Sequence, residues 1–202
     1  MAKKRFKNGD ILQIPLPNGL GFAYAQGIKL LEIDPNARYP TLIRIYNYRS
    51  TSLEEPIENF IKKELILCPL LIAGILPVIS KEIWKIVGNL PLEAESKLIP
   101  HYKKGEPDEI NAKQWYYLIE ANISKKMESQ YENVKHLETI GATGSQLVGT
   151  KIAMALIQDE GKKIEDYFKL NEYYEKQYYN DVITIPAYYK QPEFIRGKAI
   201  TQ

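Results

Sequence analysis

The sequence is poor in cysteine and histidine, and this shortage excludes several kinds of site. Cys68 is the only cysteine among 202 residues, so the chain has neither an intramolecular disulfide framework nor a CxxC zinc site. The two histidines, His101 and His136, show no HxH or HxxxH spacing and have no neighbouring cysteine. Metal ligation therefore lacks its usual pattern, and we expect no metal and no cofactor.

Catalytic motifs are missing as well. The chain contains no GxSxG; GLGFAY at 19–24 is not GxGxxG, and GATGSQ at 141–146 is not GxxxxGK[ST]. The carboxylates within 54–58 and at 159–160 lie at the ends of predicted helices, where acids are usually solvated. We therefore expect no catalytic residues and no enzyme activity.

Long apolar runs are also absent. The most apolar stretch, Leu65 to Ile79, is interrupted by Pro69 and Pro77 and is shorter than the ~20 residues that a membrane-spanning helix needs. The basic start MAKKRFKNGD lacks the apolar core of a signal peptide. These features predict a cytoplasmic protein that does not interact with a membrane.

Charge and tyrosine are distributed unevenly along the chain. Residues 1–105 hold 15 Lys+Arg against 10 Asp+Glu, whereas residues 106–202 hold 12 against 15 and ten of the fifteen tyrosines. The charged, Gly- and Pro-containing segment KKGEPDEINA at 103–112 is typical of a linker. We therefore predict an antiparallel β domain at 1–104, a helical tyrosine-rich extension packed on it at 105–189, and a polar tail at 190–202.

The first part of the chain has the pattern of short strands. Strands are predicted at Asp10–Ile14, at Gly21–Ile33 with a bulge at Gly27, at Thr41–Tyr48, once or twice within Leu65–Val78, and at Trp84–Asn89. The pair Asn18-Gly19 predicts a tight turn, because both residues accept positive φ readily. Ser52 is placed to cap a short helix. The fold class is thus α+β, a small antiparallel β-roll or partly open barrel with a short helix, followed by a mainly helical C-terminal part.

Three helices are predicted in the second part. Asp108 would cap the first, which carries Trp115, Leu118, Ile119 and Asn122. Ser145 would cap the second, and Gly161 would end it; Gly144-Ser145 at its start could instead bind an anion. The third, about Ile164 to Tyr179, carries a stripe of Tyr167, Leu170, Tyr174 and Tyr178.

The run IEDYFKLNEYYEKQYYND at 164–181 is the least ordinary part of the sequence. It combines five acids with six aromatic residues, and tyrosine is enriched at protein interfaces. Tyr167 and Tyr174 are expected to pack the helix onto the first domain. The residues expected to face outward and bind a partner are Glu165, Glu172, Tyr173, Glu175 and Tyr179.

Two other functions are compatible with the sequence. A small barrel with Tyr46 and Tyr48 on one strand, beside the basic leader Lys3-Lys4-Arg5-Lys7, could stack and hold nucleic acid. The leader carries only four charges and the second half is acidic, which disfavours this interpretation. A structural or adaptor protein would instead use the tyrosine stripe to assemble copies of itself.

Residues 8–100 resemble the immunity protein 26 family of bacterial polymorphic toxin systems. The resemblance rests on GDILQIPLPNGLGFAYAQGI, PTLIRIYNY, LILCPLLIAGILPV and WKIVGNLPL. Its signature consists of Gly9-Asp10, Ile14-Pro15-Leu16, Gly19, Ala23-Tyr24, and Trp84 with Ile86 and Gly88. The resemblance implies a cytoplasmic antitoxin that binds and blocks one cognate protein toxin, and it brings no catalytic residues with it.

Overall fold

The computed structural model describes residues 5–35, 37 and 39–196. The strands are β1 (Asp10–Pro15), β2 (Phe22–Lys29), β3 (Thr41–Ser50), β4 (Leu70–Ile72), β5 (Lys85–Asn89), β6 (Tyr102–Glu106), β7 (Gln114–Leu118) and β8 (Lys126–Ser129). The helices are α1 (Leu30–Ile33), α2 (Leu76–Ser80), α3 (Tyr131–Val134), α4 (Val148–Asp159) and α5 (Tyr173–Thr184).

The first sheet is antiparallel and open, with the strand order β4-β3-β2-β1-β5. Its β1–β2 hairpin closes at Asn18 and Gly19, whose φ angles of 57° and 70° are those that the turn prediction requires. The remaining strands, β6, β7 and β8, form a second antiparallel sheet. Two antiparallel sheets with helices confirm the predicted α+β class.

The second sheet corrects the first predicted helix. Trp115 and Leu118 lie in β7, where Trp115 pairs with Gly105 on one side and Ser129 on the other. Asp108 accepts hydrogen bonds from the backbone N–H groups of Ile110 and Asn111 at 3.0 and 2.8 Å, and so caps a turn instead of a helix. The aromatic segment QWYYL favours the extended backbone. The spacing of Trp115 and Leu118 suits one face of a helix, but the structure places both residues in a short strand.

The structure also corrects the predicted linker at 103–112, part of which forms a strand of the second sheet. Its first residues, 103–106, belong to β6, and Lys103 also bonds through its backbone to the segment before α4, donating to Glu138 and accepting from Ile140 at 2.8 Å each. The division into parts at residue 104 therefore falls inside a strand, and it stays a prediction. In the proposed tail, Gln191 and Ile195 are buried, and residues 197–202 lie outside the described range.

Smaller differences occur in the first part of the chain. The long predicted strand ends at Lys29, where α1 begins, and Leu65–Val78 provides only β4 and the start of α2. The irregular register lies between Ala23 and Ala25, not at Gly27. A Cβ atom at Gly27 would lie 2.4 Å from the ring of Phe6, so this glycine makes room for an aromatic side chain. After Ser52 only the 3-10 turn Ile57–Asn59 forms.

Helix α4 packs against the first sheet and forms part of its core. Most of its residues are buried, including Ile152, Met154 and Leu156, and the charged Lys151 is buried with them. Gly161 ends it with a φ of 72°, as predicted. The N-cap is Leu147 instead of Ser145.

The third predicted helix is displaced along the chain. Residues Ile164–Asp166 form a 3-10 turn, and α5 begins only at Tyr173. Tyr167 is half-buried and packs against the core, as predicted. The prediction for Tyr174 is wrong, because half of this side chain is exposed. Tyr178 of the predicted stripe is buried, together with Val182 one turn later.

Gly149 gives a test of the close packing between α4 and the hairpin. A Cβ atom there would lie 2.6 Å from the carbonyl oxygen of Pro15. Gly149→Ala should therefore lower the free energy of unfolding by about 1–3 kcal/mol, even though alanine is normally the better helix residue. Urea denaturation checks this. Gly141→Ala, where a Cβ meets nothing within 4 Å, is the control, and equal effects of both variants would contradict the prediction.

Candidate functional site

The predicted partner-binding residues lie on and beside α5. Glu165, Glu172 and Tyr173 are exposed, whereas Glu175 and Tyr179 are half-buried. The Tyr179 hydroxyl donates a hydrogen bond to the Glu165 carboxylate, and this bond lowers the pKa of Glu165. The 3-10 turn and the helix are thus joined at the surface.

These five residues do not form one patch. Helical spacing puts Glu175 and Tyr179 on one flank of α5. Tyr173 shares the opposite flank with Gln177 and Asn180, at i, i+4 and i+7. The structure therefore brings Tyr179 together with Glu165 and separates both from Tyr173.

A cleft of about 460 Å³ lies beside the Tyr173 flank, and we call it the Trp115 cleft. Trp115 of β7 and Tyr131 of α3 form its aromatic wall, with ring centroids 4.9 Å apart. Asp181 of α5 also lines the cleft. The loop between β6 and β7 contributes Glu109 and Ile110, and Ile110 is 71% exposed.

Glu109 is the chemically unusual residue of the Trp115 cleft. Its half-buried carboxylate makes no hydrogen bond or ion pair with any other described residue. Burial first, and the charge of Asp181 second, raise the pKa of Glu109 to about 7. Lys103 and Lys151 lower this pKa, but by less than burial and Asp181 raise it. A partly desolvated carboxylate with a raised pKa is typical of a functional site.

Lys103 lies at the base of the same cleft. Only 4% of the residue is exposed, and its Nζ atom donates to the carbonyl oxygen of Lys135 at 3.1 Å. The same atom lies 6.0 Å from the Trp115 ring centroid and 5.9 Å from that of Tyr131. Burial lowers the pKa of Lys103. The aromatic wall thus already faces one cation.

A buried group of charges lies behind the cleft. The Nζ atom of Lys151, in α4, donates to Glu138 at 2.6 Å and to Asp181 at 3.0 Å. Burial by itself would lower the pKa of Lys151, but the two carboxylates outweigh it and raise this pKa. The group also borders a separate cavity of about 200 Å³ lined in part by Cys68, the pKa of whose thiol is raised by burial. Asp181 belongs to both the cleft and the buried group.

The remaining candidate residues have structural partners. Within the described range, no cluster of three or more His, Cys, Asp or Glu residues is arranged to hold a metal ion. His101 accepts a hydrogen bond from the Glu120 backbone N–H at 3.2 Å. Tyr46 is buried and the Tyr48 hydroxyl donates to Glu55 at 2.6 Å, and both rings pack against Phe60. These tyrosines therefore do not form an open stacking surface for bases.

Two further sequence-based expectations concern the leader and the membrane. Lys3 and Lys4 of the basic leader lie outside the described residues. Among the residues that the structure describes, every helix is too short or too polar to cross a membrane.

Exposed aromatic and apolar side chains around a cleft are typical of a surface that binds another protein. The sequence identifies the family: the model described as Immunity protein 26 matches residues 7–115, more than half of the 202 residues. The chain belongs to the immunity protein 26 family. The matched region extends beyond the expected residues 8–100 and ends at Trp115. No curated protein and no solved structure gives a match.

Sequence reasoning missed the Trp115 cleft altogether. The predicted helix includes Trp115, and the predicted linker at 103–112 includes Glu109. The usable signal was the turn chemistry of Asp108 followed by QWYYL, which predicts a hairpin. Nothing local indicates that α5 would lie across from it.

The buried charges predict a large effect of Lys151→Met. This change leaves the carboxylates of Glu138 and Asp181 without their cation, and Glu138 is only 6% exposed. We expect the free energy of unfolding to fall by about 3–5 kcal/mol in urea denaturation. Lys162→Met, which removes an exposed pair with Glu160, is the matched control. A loss no larger than in the control would show that Lys151 does not hold the helices together.

Glu109 predicts a pH-dependent effect on stability. Because its pKa is raised on folding, the folded state holds the proton more tightly, and stability is lost as the pH rises from about 4.5 through about 7. Glu109→Gln removes this loss and should stabilise the protein at pH 8 by about 1 kcal/mol, after discounting for solvent screening. At pH 4.5 the variant and the parent should be equal. Thermal or urea unfolding at both pH values checks this, and parallel pH profiles would contradict it.

Proposed function

We propose that this chain is the immunity protein of a bacterial toxin system and neutralises one cognate protein toxin in the cytoplasm by covering its active surface. The observation that carries the proposal is the family match over residues 7–115. The protein would act by binding alone, without chemistry of its own.

The surface of α5 supports a binding role. Tyr173 and Tyr174 are 56% and 50% exposed, and their rings contact each other edge to face at 5.5 Å. Aromatic residues of this kind form the anchors of protein interfaces. Acidic residues around them would speed association with a positively charged partner.

The acidic second half favours a nuclease as the toxin. A nuclease holds phosphates in a positively charged groove, and residues 106–202 carry a net charge of −3, from 12 Lys+Arg and 15 Asp+Glu. Glu165, Glu175 and Tyr179, which share one flank, would face such a groove. Glu172 and Tyr173, at the start of α5, would contact the toxin beside the groove. In this proposal the first sheet is the scaffold and the second half is the inhibitor surface.

A combined alanine variant tests the surface. Glu172→Ala, Tyr173→Ala, Glu175→Ala and Tyr179→Ala together should weaken toxin binding about 100-fold or more, because they remove both aromatic anchors and steering charges. The measurement is the affinity for the toxin encoded by the neighbouring gene, with growth of cells co-expressing both proteins as the second readout.

The control is a matched variant on the other part of the molecule. Leu53, Glu54 and Glu58 are exposed in the connection after β3, and their replacement by alanine should leave protection intact. Full protection by the α5 variant would contradict the proposed surface. If the parent chain neither binds nor protects against that toxin, the proposed function itself is wrong. Salt-sensitive binding of DNA or RNA, or self-assembly through α5, would support the alternative classes.

A further inference from the structure

We propose that the Trp115 cleft captures a basic side chain, arginine or lysine, from the protein that this chain binds. The inference rests on the proposed function and deepens it, because it names the chemical group of the partner that one part of the surface recognises. Trp115, Tyr131 and Glu109, which form the aromatic wall and the unpaired carboxylate of the cleft, lie outside α5.

The aromatic wall is suited to a cation. The rings of Trp115 and Tyr131 both border the cleft. Their centroids are 4.9 Å apart, and the ring planes are tilted by 47° to each other. The ammonium of Lys103, about 6 Å from both centroids, shows that a positive charge is held against these rings. Attraction between a cation and an aromatic ring acts over this distance.

The charges that face the cleft favour a second cation. Lys151 is shared by Glu138 and Asp181, and Lys103 is bonded to a backbone carbonyl oxygen. Both ammonium groups act on Glu109 from a distance, but neither forms an ion pair with it among the described residues. Three carboxylates then stand against two ammonium groups. A bound anion would increase this imbalance, and an apolar group would leave the carboxylate of Glu109 desolvated and unpaired. A bound guanidinium or ammonium group would balance the excess negative charge and pair with the carboxylate of Glu109.

The rim of the cleft indicates that the cation belongs to a protein. Ile110 is 71% and Tyr131 is 40% exposed, so that apolar surface surrounds the entrance. Tyr173, 56% exposed, lies on the flank of α5 that borders the cleft. An apolar rim around a charged centre is suited to a basic side chain on a protein surface, because apolar residues beside that side chain can contact the rim.

The pH should control this capture. Glu109 is neutral below about pH 7 and ionised above it, whereas arginine keeps its charge throughout. The other groups facing Glu109 are Lys103 of β6, Asp181 of α5, and Glu138 and Lys151 behind it. Burial first, and the charges of Lys103 and Lys135 next, lower the pKa of His136, which faces Lys103. Binding should therefore be stronger at pH 8 than at pH 6.

The test uses N-acetyl-arginine amide as the probe and the full chain as the receptor. The indole N–H signal of Trp115 in NMR spectra reports on the cleft, and that of Trp84, which is 2% exposed, serves as an internal reference. We expect a saturable shift of the Trp115 signal with a dissociation constant of about 1 mM at pH 8, at least threefold weaker at pH 6. N-acetyl-lysine amide is the second cationic probe.

N-acetyl-citrulline amide is the decisive control, because it keeps the shape of the arginine probe and lacks its charge. Equal shifts with the citrulline probe, or no saturable shift with either cation, would overturn the proposal without any variant having to fold. Glu109→Gln should weaken arginine binding about five- to tenfold and abolish its pH dependence. Glu128→Gln, at an exposed position of β8, should leave both unchanged.

The outcomes separate this inference from the proposed function. If Glu109→Gln binds the arginine probe as well as the parent chain does, the cleft proposal is wrong, whatever the toxin result. If the parent chain binds the probe and fails to bind the toxin, the cleft captures cations and the proposed function is wrong. Both proposals are supported together when Glu109→Gln also weakens the toxin complex and Glu128→Gln does not.

Discussion

The ammonium of Lys151 constrains the arrangement of the second half of the chain. A buried lysine is tolerated only when carboxylates replace its water, and Glu138 and Asp181 come from two separate segments to do so. The pairing fixes where α5 lies against α4. It also leaves Asp181 with one side toward the Trp115 cleft. The geometry of the cleft thus depends on a charge in the core.

The two parts of the molecule contribute different properties to the proposed binding role. The first sheet and α4 share one large apolar core, and the approach of Gly149 to Pro15 shows how tightly they are packed. The second sheet, α3 and α5 expose aromatic rings and carboxylates instead. A rigid scaffold that presents such side chains lowers the entropy lost on binding. The family match covers the first sheet and extends into the second sheet as far as Trp115.

Features set by neighbouring residues could be predicted. The turn at Asn18-Gly19, the hairpin around it and the helix stop at Gly161 depend on local backbone preferences. Periodicity over short aromatic segments was less reliable. The apolar residues of QWYYL have the spacing of a helix, but its aromatic residues favour a strand. Hydrogen bonding to β6 on one side and β8 on the other stabilises the strand. Tyr174 is exposed because α5 begins only at Tyr173, which places Tyr174 in the first turn, whereas Tyr178 one turn later is buried.

The sequence by itself determined the α+β class, the strands of the hairpin, the family and the concentration of tyrosines and acids near the C-terminus. Tertiary structure alone decided which of these side chains meet. Asp181 is far along the chain from Glu109, Trp115 and Tyr131, and only the position of α5 in the folded chain brings all four around one cleft. Their chemistry depends on distance and on exclusion of water, and neither is encoded in the spacing of residues along a sequence.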